Sequence, residues 1–237
     1  MPFFYIDWTY IILVVPAIIF SLICSSAVNS NFKKYSTIFS DSGITGSQAA
    51  QKVLATAGVQ NVSITTSQGK LSDHYDPRKK VIALSPEVHS SSSVAAIGVA
   101  CHEAGHAIQH AKGYVPLKFR NMIIPITNIG SRLSVPLILL GIILTRLGQE
   151  YIFIAYIGVA CFALSTLFQL VTLPTEFNAS KRAMEAIQNN NILSADERKG
   201  ARKVLSAAAM TYVAALAVSV MQLLRLLIMV RGNDRRR

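Results

Sequence analysis

His102-Glu103-Ala104-Gly105-His106, inside the alanine-rich stretch from Ser92 to Ala111, sets two imidazoles four residues apart with a carboxylate beside the first. The stretch reads as one helix, with the serine run Ser90 to Ser93 offering N-caps and Gly113 a stop. Side chains four apart on a helix share a face about one turn apart, so His102 and His106 can converge on one metal ion. This is the H-E-x-x-H spacing of zinc hydrolases, in which the glutamate is not a ligand but takes a proton from a water that the metal has acidified. Glu103 is therefore the candidate general base, and His102 and His106 are candidate ligands.

A catalytic zinc takes three protein ligands. His110 continues the same stripe but lies about 12 Å from His102 along the axis, too far to share the ion. The longer motif with a downstream Gly and a third His is absent, because Gln109 and Lys112 occupy those places. Carboxylates after the motif are the alternatives. Glu150 sits in a joint between two apolar runs, Glu185 and Glu197 in charged sequence, and Glu176 in Leu173-Pro174-Thr175-Glu176-Phe177-Asn178-Ala179-Ser180. Pro174 and Thr175 are expected to start a helix there.

The run HEAGHAIQHAKGY (102–114), the upstream Ser72-Asp73-His74-Tyr75-Asp76-Pro77 and the downstream LPTEFNASKRA (173–183) together resemble the YugP-type membrane zinc metallopeptidases over nearly the whole chain. The E-F-x-A-S element is also similar to the E-[FY]-x-A-D element of HtpX-type and CAAX-prenyl membrane proteases. That resemblance implies that Glu176 is the third zinc ligand, a gluzincin-like set with one Zn2+ per chain. Ser180 stands where those families have Asp, so a carboxylate holding a ligand histidine in its tautomer is expected from Asp73 or Asp76 instead.

A hydrophobic content of 51% with 15% charged residues, concentrated in long apolar runs, implies an integral membrane protein. Four runs approach the roughly 20 residues needed to span: Ile6 to Val28, about Thr127 to Leu147, Tyr151 to Leu173 and Val204 to Val230. The first lacks a basic n-region and is too long for a signal peptide, so it reads as an anchor. Phe3, Phe4, Tyr5 and Trp8 would form its interfacial belt. Cys24, Cys101 and Cys161 are scattered and give no disulfide framework. Two crossings separate the histidines from Glu176, which places them on one side of the bilayer and Glu150 on the other. Most of the 23 Lys and Arg lie in 29–126 and 174–203, against Arg146 and the tail arginines Arg231, Arg235, Arg236 and Arg237 opposite. The site side is accordingly expected to be cytoplasmic in a multi-pass cell-membrane protein. The net charge of +11 is accounted for by these juxtamembrane cations rather than by nucleic acid, for which no motif is present.

Between the first two runs, Thr45-Gly46-Ser47 begins a short helix through Ala57, and Val62 to Thr66 and Lys80 to Leu84 read as strands. Asp73 to Pro77 reads as a turn-rich segment that can reach the site. From it His74 or Tyr75 would donate to an oxyanion, and Asp76 would orient a histidine. Val81, Ile82, Ala83 and Leu84 are expected to present a free strand edge to an extended peptide.

The expected architecture is mainly α, a multi-pass helix bundle with a small α+β zincin-like unit carrying the H-E-x-x-H helix. Its segments are an anchor (1–28), the zincin-like segment (29–126), two spans (127–173), the helix with the third ligand (174–203), and a last span with a basic tail (204–237). The function read from it is a zinc metalloendopeptidase acting on membrane-associated or misfolded proteins. The alternative is a metal-binding membrane chaperone or transporter component without turnover. Retention of Glu103, which zinc ligation does not need, favours hydrolysis.

Overall fold

The computed structural model describes residues 7–69 and 72–234. Phe3, Phe4 and Tyr5 of the expected belt, Lys70, and Arg235 to Arg237 lie outside the described residues, while Trp8 is 76% exposed. The chain is mainly helical with one small mixed sheet. Its elements are α1 (Val15–Ser36, preceded by a π-helical turn Tyr10–Val14), α2 (Gly46–Thr56), β1 (Ser63–Thr66), β2 (His74–Asp76), β3 (Val81–Leu84), α3 (Pro86–His89), α4 (Val94–Ala111), α5 (Val115–Leu144), α6 (Ile152–Asn189) and α7 (Ala195–Asp234).

Among the described residues, four helices are long and apolar enough to cross a membrane: Tyr10–Ser36, Val115–Leu144, Gln149–Asn189 and Ala195–Gly232. Each is longer than its apolar run. The second begins at Val115, well before Thr127, and Pro125 and Pro136 lie inside it. The third runs through Pro174 without a break, so Glu176 sits in the interior of α6 and not at the start of a separate helix. Proline removes one backbone donor and crowds the preceding turn, which makes Pro-Thr a natural helix start when read locally. Packing of the flanking residues overrides that preference here.

The residues fall into two compact units. Among the described residues, one comprises 7–23, 119–173 and 212–234, with a core of Ile138, Ile152, Ala155, Val159, Leu226 and Val230. Within it Gly141 of α5 lies directly against Ala155 of α6, and the Arg225 guanidinium lies 3.5 Å from the Asp7 carboxylate and 5.1 Å from the Tyr10 ring.

The other unit comprises 24–118 and 174–211. α2 opens with a reciprocal cap, in which the Gln48 backbone N–H donates to Thr45 Oγ1 (3.3 Å) and the Thr45 N–H to Gln48 Oε1 (2.8 Å). The sheet order is β1-β3-β2, with β1 parallel and β2 antiparallel to β3. The expected turn at 73–77 therefore contains a strand, because His74, Tyr75 and Asp76 pair with Ala83, Ile82 and Val81. Asp76 closes the following turn by accepting from the N–H groups of Arg78 (2.8 Å) and Lys79 (3.2 Å). β3 is the central strand, so Val81 to Leu84 offer no free edge, contrary to the expectation. Val81 to Ala83 pair with strands on both sides, and Leu84 pairs with β1.

α4 is the spine of this unit. The Ser93 hydroxyl caps it by accepting from the Ala96 N–H at 3.2 Å. Its end is fixed by Tyr114 N–H donating to Gln109 O at 2.9 Å, with Gly113 at φ +64°. Val94, Ala95, Ala96, Ile97, Ala100, Cys101, Ala104 and Ala107 are all essentially inaccessible and pack with Val53, Leu84, Ile187 and Ala201. The small side chains let neighbouring helices come close on several faces, which is why an alanine-rich helix serves as a core element.

Candidate metal centre

Where α4 crosses α6, the two backbones almost touch. A Cβ on Gly105 would lie 2.7 Å from the carbonyl oxygen of Ala179. That approach is open only to glycine, and it sets His102 and His106 of α4 against Glu176, one turn before Ala179 on α6. His102 Nε2 and His106 Nε2 lie 3.4 and 3.5 Å from the same atom, Glu176 Oε2. One ligand atom from each of the three residues lies within 4.8 Å of the others.

The two distances from the imidazoles to Glu176 favour a metal site over a plain ion pair. A charge-assisted N–H···O bond would close to about 2.7–2.9 Å. Donor atoms about 2.0–2.2 Å from one tetrahedral zinc stand about 3.3–3.5 Å from each other. The imidazole rings lie edge to face at 90°, with both Nε2 atoms toward Glu176. Their Nδ1 atoms find partners at the back, Ser180 Oγ at 3.1 Å for His102 and Gln109 Oε1 at 3.0 Å for His106.

Glu103 is 8% exposed and makes no hydrogen bond or ion pair with any described residue. Its oxygens are not among the sealed, unsatisfied polar atoms of the described residues, so the tip of the carboxylate stays open to a ligand or substrate. Burial discourages charge on His106, but the Glu176 and Glu103 carboxylates and the Gln109 amide outweigh it and raise the imidazole above its ordinary pKa. Two carboxylates enclosed with two imidazoles thus form a pocket that favours a cation, and the residues present fit zinc. Cys101, one residue before His102, is fully buried with its thiol pushed up to about 12, which makes it an inert core side chain.

The other residues singled out from sequence divide clearly. Ser180 is at the site, on His102. Asp73 is not: it accepts from the Ser85 N–H at 2.7 Å and the Ser85 hydroxyl at 3.1 Å, tying the start of β2 to the end of β3. Asp76 is spent on its own turn. His74 is exposed, with Nδ1 2.8 Å from the Ser72 carbonyl. Neither aspartate therefore orients a ligand histidine. Tyr75 does approach the active helix, its hydroxyl lying 2.8 Å from His110 Nδ1. Glu185 pairs with Lys181 at 3.8 Å on the surface, and Glu197 caps the start of α7 at Ser194. The residue missed from sequence is Gln109, fully buried behind His106. Its position three after His106 on the same helical face was the available signal.

Residues 10–231 match the family described as "Putative neutral zinc metallopeptidase". The chain belongs to that family. It is 41% identical over 226 residues to the "Putative membrane protease YugP" of Bacillus subtilis (strain 168), covering 95% of this chain and 98% of the relative. No solved structure matches it. Membership supports a peptidase that uses zinc and works on protein substrates, and the four long apolar helices support a membrane protein.

Proposed function

We propose that this protein is a membrane zinc endopeptidase in which His102, His106 and Glu176 hold one zinc ion and Glu103 is the general base. The convergence of the three ligand atoms, with the Glu103 carboxylate close enough to act electrostatically on His106, carries the reading. When bound there, zinc supplies Lewis acidity toward water and the scissile carbonyl. Glu103 accepts the proton of the attacking water as the new C–O bond forms, then passes it to the amine as the C–N bond breaks. Glu176 and the histidines hold their places through Gly105–Ala179 packing, Ser180 and Gln109.

The sheet beside α4 supports reading this unit as zincin-like; β1 and β2 each have an outer edge that pairs with no described strand, and β2 is the one whose Tyr75 reaches α4. We assign the extended substrate to that edge, where backbone bonding gives affinity with little sequence preference. Tyr75 on that strand, its hydroxyl 2.8 Å from His110 Nδ1 on α4, is the candidate oxyanion donor. Glu176 follows the apolar run of α6 by three residues, roughly 5 Å of helix, which supports substrates that are membrane-associated or unfolded near the bilayer. The Lys and Arg distribution supports a cytoplasmic site. The deciding experiment is zinc content and hydrolysis of a loosely folded protein by wild type and Glu103→Ala. Zinc should stay while cleavage falls by at least a hundredfold, in line with loss of general-base catalysis. Equal cleavage by the two proteins would end the mechanism.

A further inference from the structure

Gln109 is fully buried and uses both ends of its amide. One end faces His106 Nδ1 at 3.0 Å, and the other faces the Thr175 backbone carbonyl at 2.8 Å and Asn178 Oδ1 at 3.0 Å. A backbone carbonyl only accepts. The amide atom facing Thr175 must therefore be the nitrogen, and the atom facing His106 must be the oxygen. An oxygen there requires His106 Nδ1 to carry a proton, which leaves the Nε2 lone pair directed at the Glu176 carboxylate oxygen. Asn178 is held in the matching sense, because its Oδ1 also accepts from Arg182 Nε at 2.7 Å, and the Arg182 guanidinium lies 5.9 Å from the Tyr114 ring.

We infer that Gln109 is a positioning residue that fixes the ligand tautomer of His106 by reading the carbonyl of Thr175, the residue next to Glu176. The role rests on the proposed zinc site, but the tautomer is a property of the protein without metal. A carboxylate is the common partner for a ligand histidine, along with backbone carbonyls and water. Here a neutral amide does that work, and because it bonds α6 as well as α4 it also holds the two ligand-bearing helices in register. Ser180 differs in kind: its hydroxyl can donate or accept, so it steadies the His102 ring without choosing a tautomer.

The test uses the full-length protein in detergent with ring-15N histidine. In the zinc-free wild type, above the pH at which the imidazole is protonated, His106 should show a single Nδ1–H tautomer, assigned by its loss in His106→Gln. A wild-type His106 that is mixed or Nε2–H would overturn the inference without any variant having to fold. In Gln109→Met, which keeps the volume and removes both functions, the tautomer should become mixed. Its zinc affinity, read by chelator competition, should fall about 10- to 100-fold, while Ser180→Ala loses less. Folded Gln109→Met that retains wild-type zinc affinity would also overturn it. A wild type with the single tautomer but no zinc binding would instead defeat the metallopeptidase reading and leave the tautomer assignment standing.

Discussion

Gly105→Ala tests the helix crossing on which the proposed metal centre depends. The new Cβ would sit 2.7 Å from Ala179 O and 3.3 Å from both Ala179 C and Cα. Backbone on both sides gives no flexible side chain to move aside. Restoring an ordinary contact of 3.4 Å or more moves the helices apart by about 0.7 Å. Zinc–ligand distances tolerate about 0.2 Å. Because Gly105 adjoins His106 and Ala179 lies one turn from Glu176, the displacement falls on the ligand set itself. Overpacking costs about 1–3 kcal/mol, partly offset by about 1 kcal/mol from alanine's better helix propensity. Global stability should therefore fall by no more than about 2 kcal/mol, while zinc affinity falls at least about tenfold, as for displaced supporting groups. Gly98→Ala on the same helix is the control. Its nearest neighbour would be Ala201 Cβ at 3.5 Å, an ordinary contact, so it should be neutral or slightly stabilising. Chelator competition and thermal unfolding in detergent measure both quantities. Wild-type zinc affinity in Gly105→Ala, or equal damage from Gly98→Ala, would refute the argument.

Glu176→Ala should weaken zinc binding far more than Glu185→Ala or Glu197→Ala, read by metal content after dialysis; a larger effect at Glu185 would reassign the ligand. Asp73→Asn should leave zinc affinity within about twofold of wild type, because Asp73 bonds Ser85 and not a ligand histidine. A tenfold loss would return Asp73 to the site. Sidedness can be read with introduced cysteines: in intact cells an impermeant thiol reagent should miss Gln60→Cys and Asn189→Cys and label Glu150→Cys. Labelling of the first two together would reverse the orientation, and opposite behaviour of those two would break the metal site.

The membrane character and the active helix were legible locally. Long apolar runs of about 20 residues fit membrane spans by length and composition, and the i, i+4 repeat of His102 and His106 holds whatever surrounds the helix. The helix ends were less legible, since α1, α5, α6 and α7 all extend past their apolar runs into polar sequence. Pro174 illustrates the reason: its local preference for a helix start yields to packing on both sides. Edge or centre in a sheet is likewise not a local property. β3 has the pattern of a buried strand in either place, and only the pairing of His74 to Asp76 closes its second edge.

The sequence by itself determined that two imidazoles and Glu103 share one helix, because helical periodicity alone brings them together. It also confined the proposed third ligand to a short list of carboxylates, with a family resemblance singling out Glu176. Only the tertiary structure brought Glu176 within 3.4 and 3.5 Å of both imidazoles, and only it showed Gln109 behind His106. Both facts depend on α6 crossing α4 at Gly105, some 70 residues away in the chain. Closeness of backbones at that distance is set by the packing of small side chains on two helices at once, and neither helix's sequence states it alone.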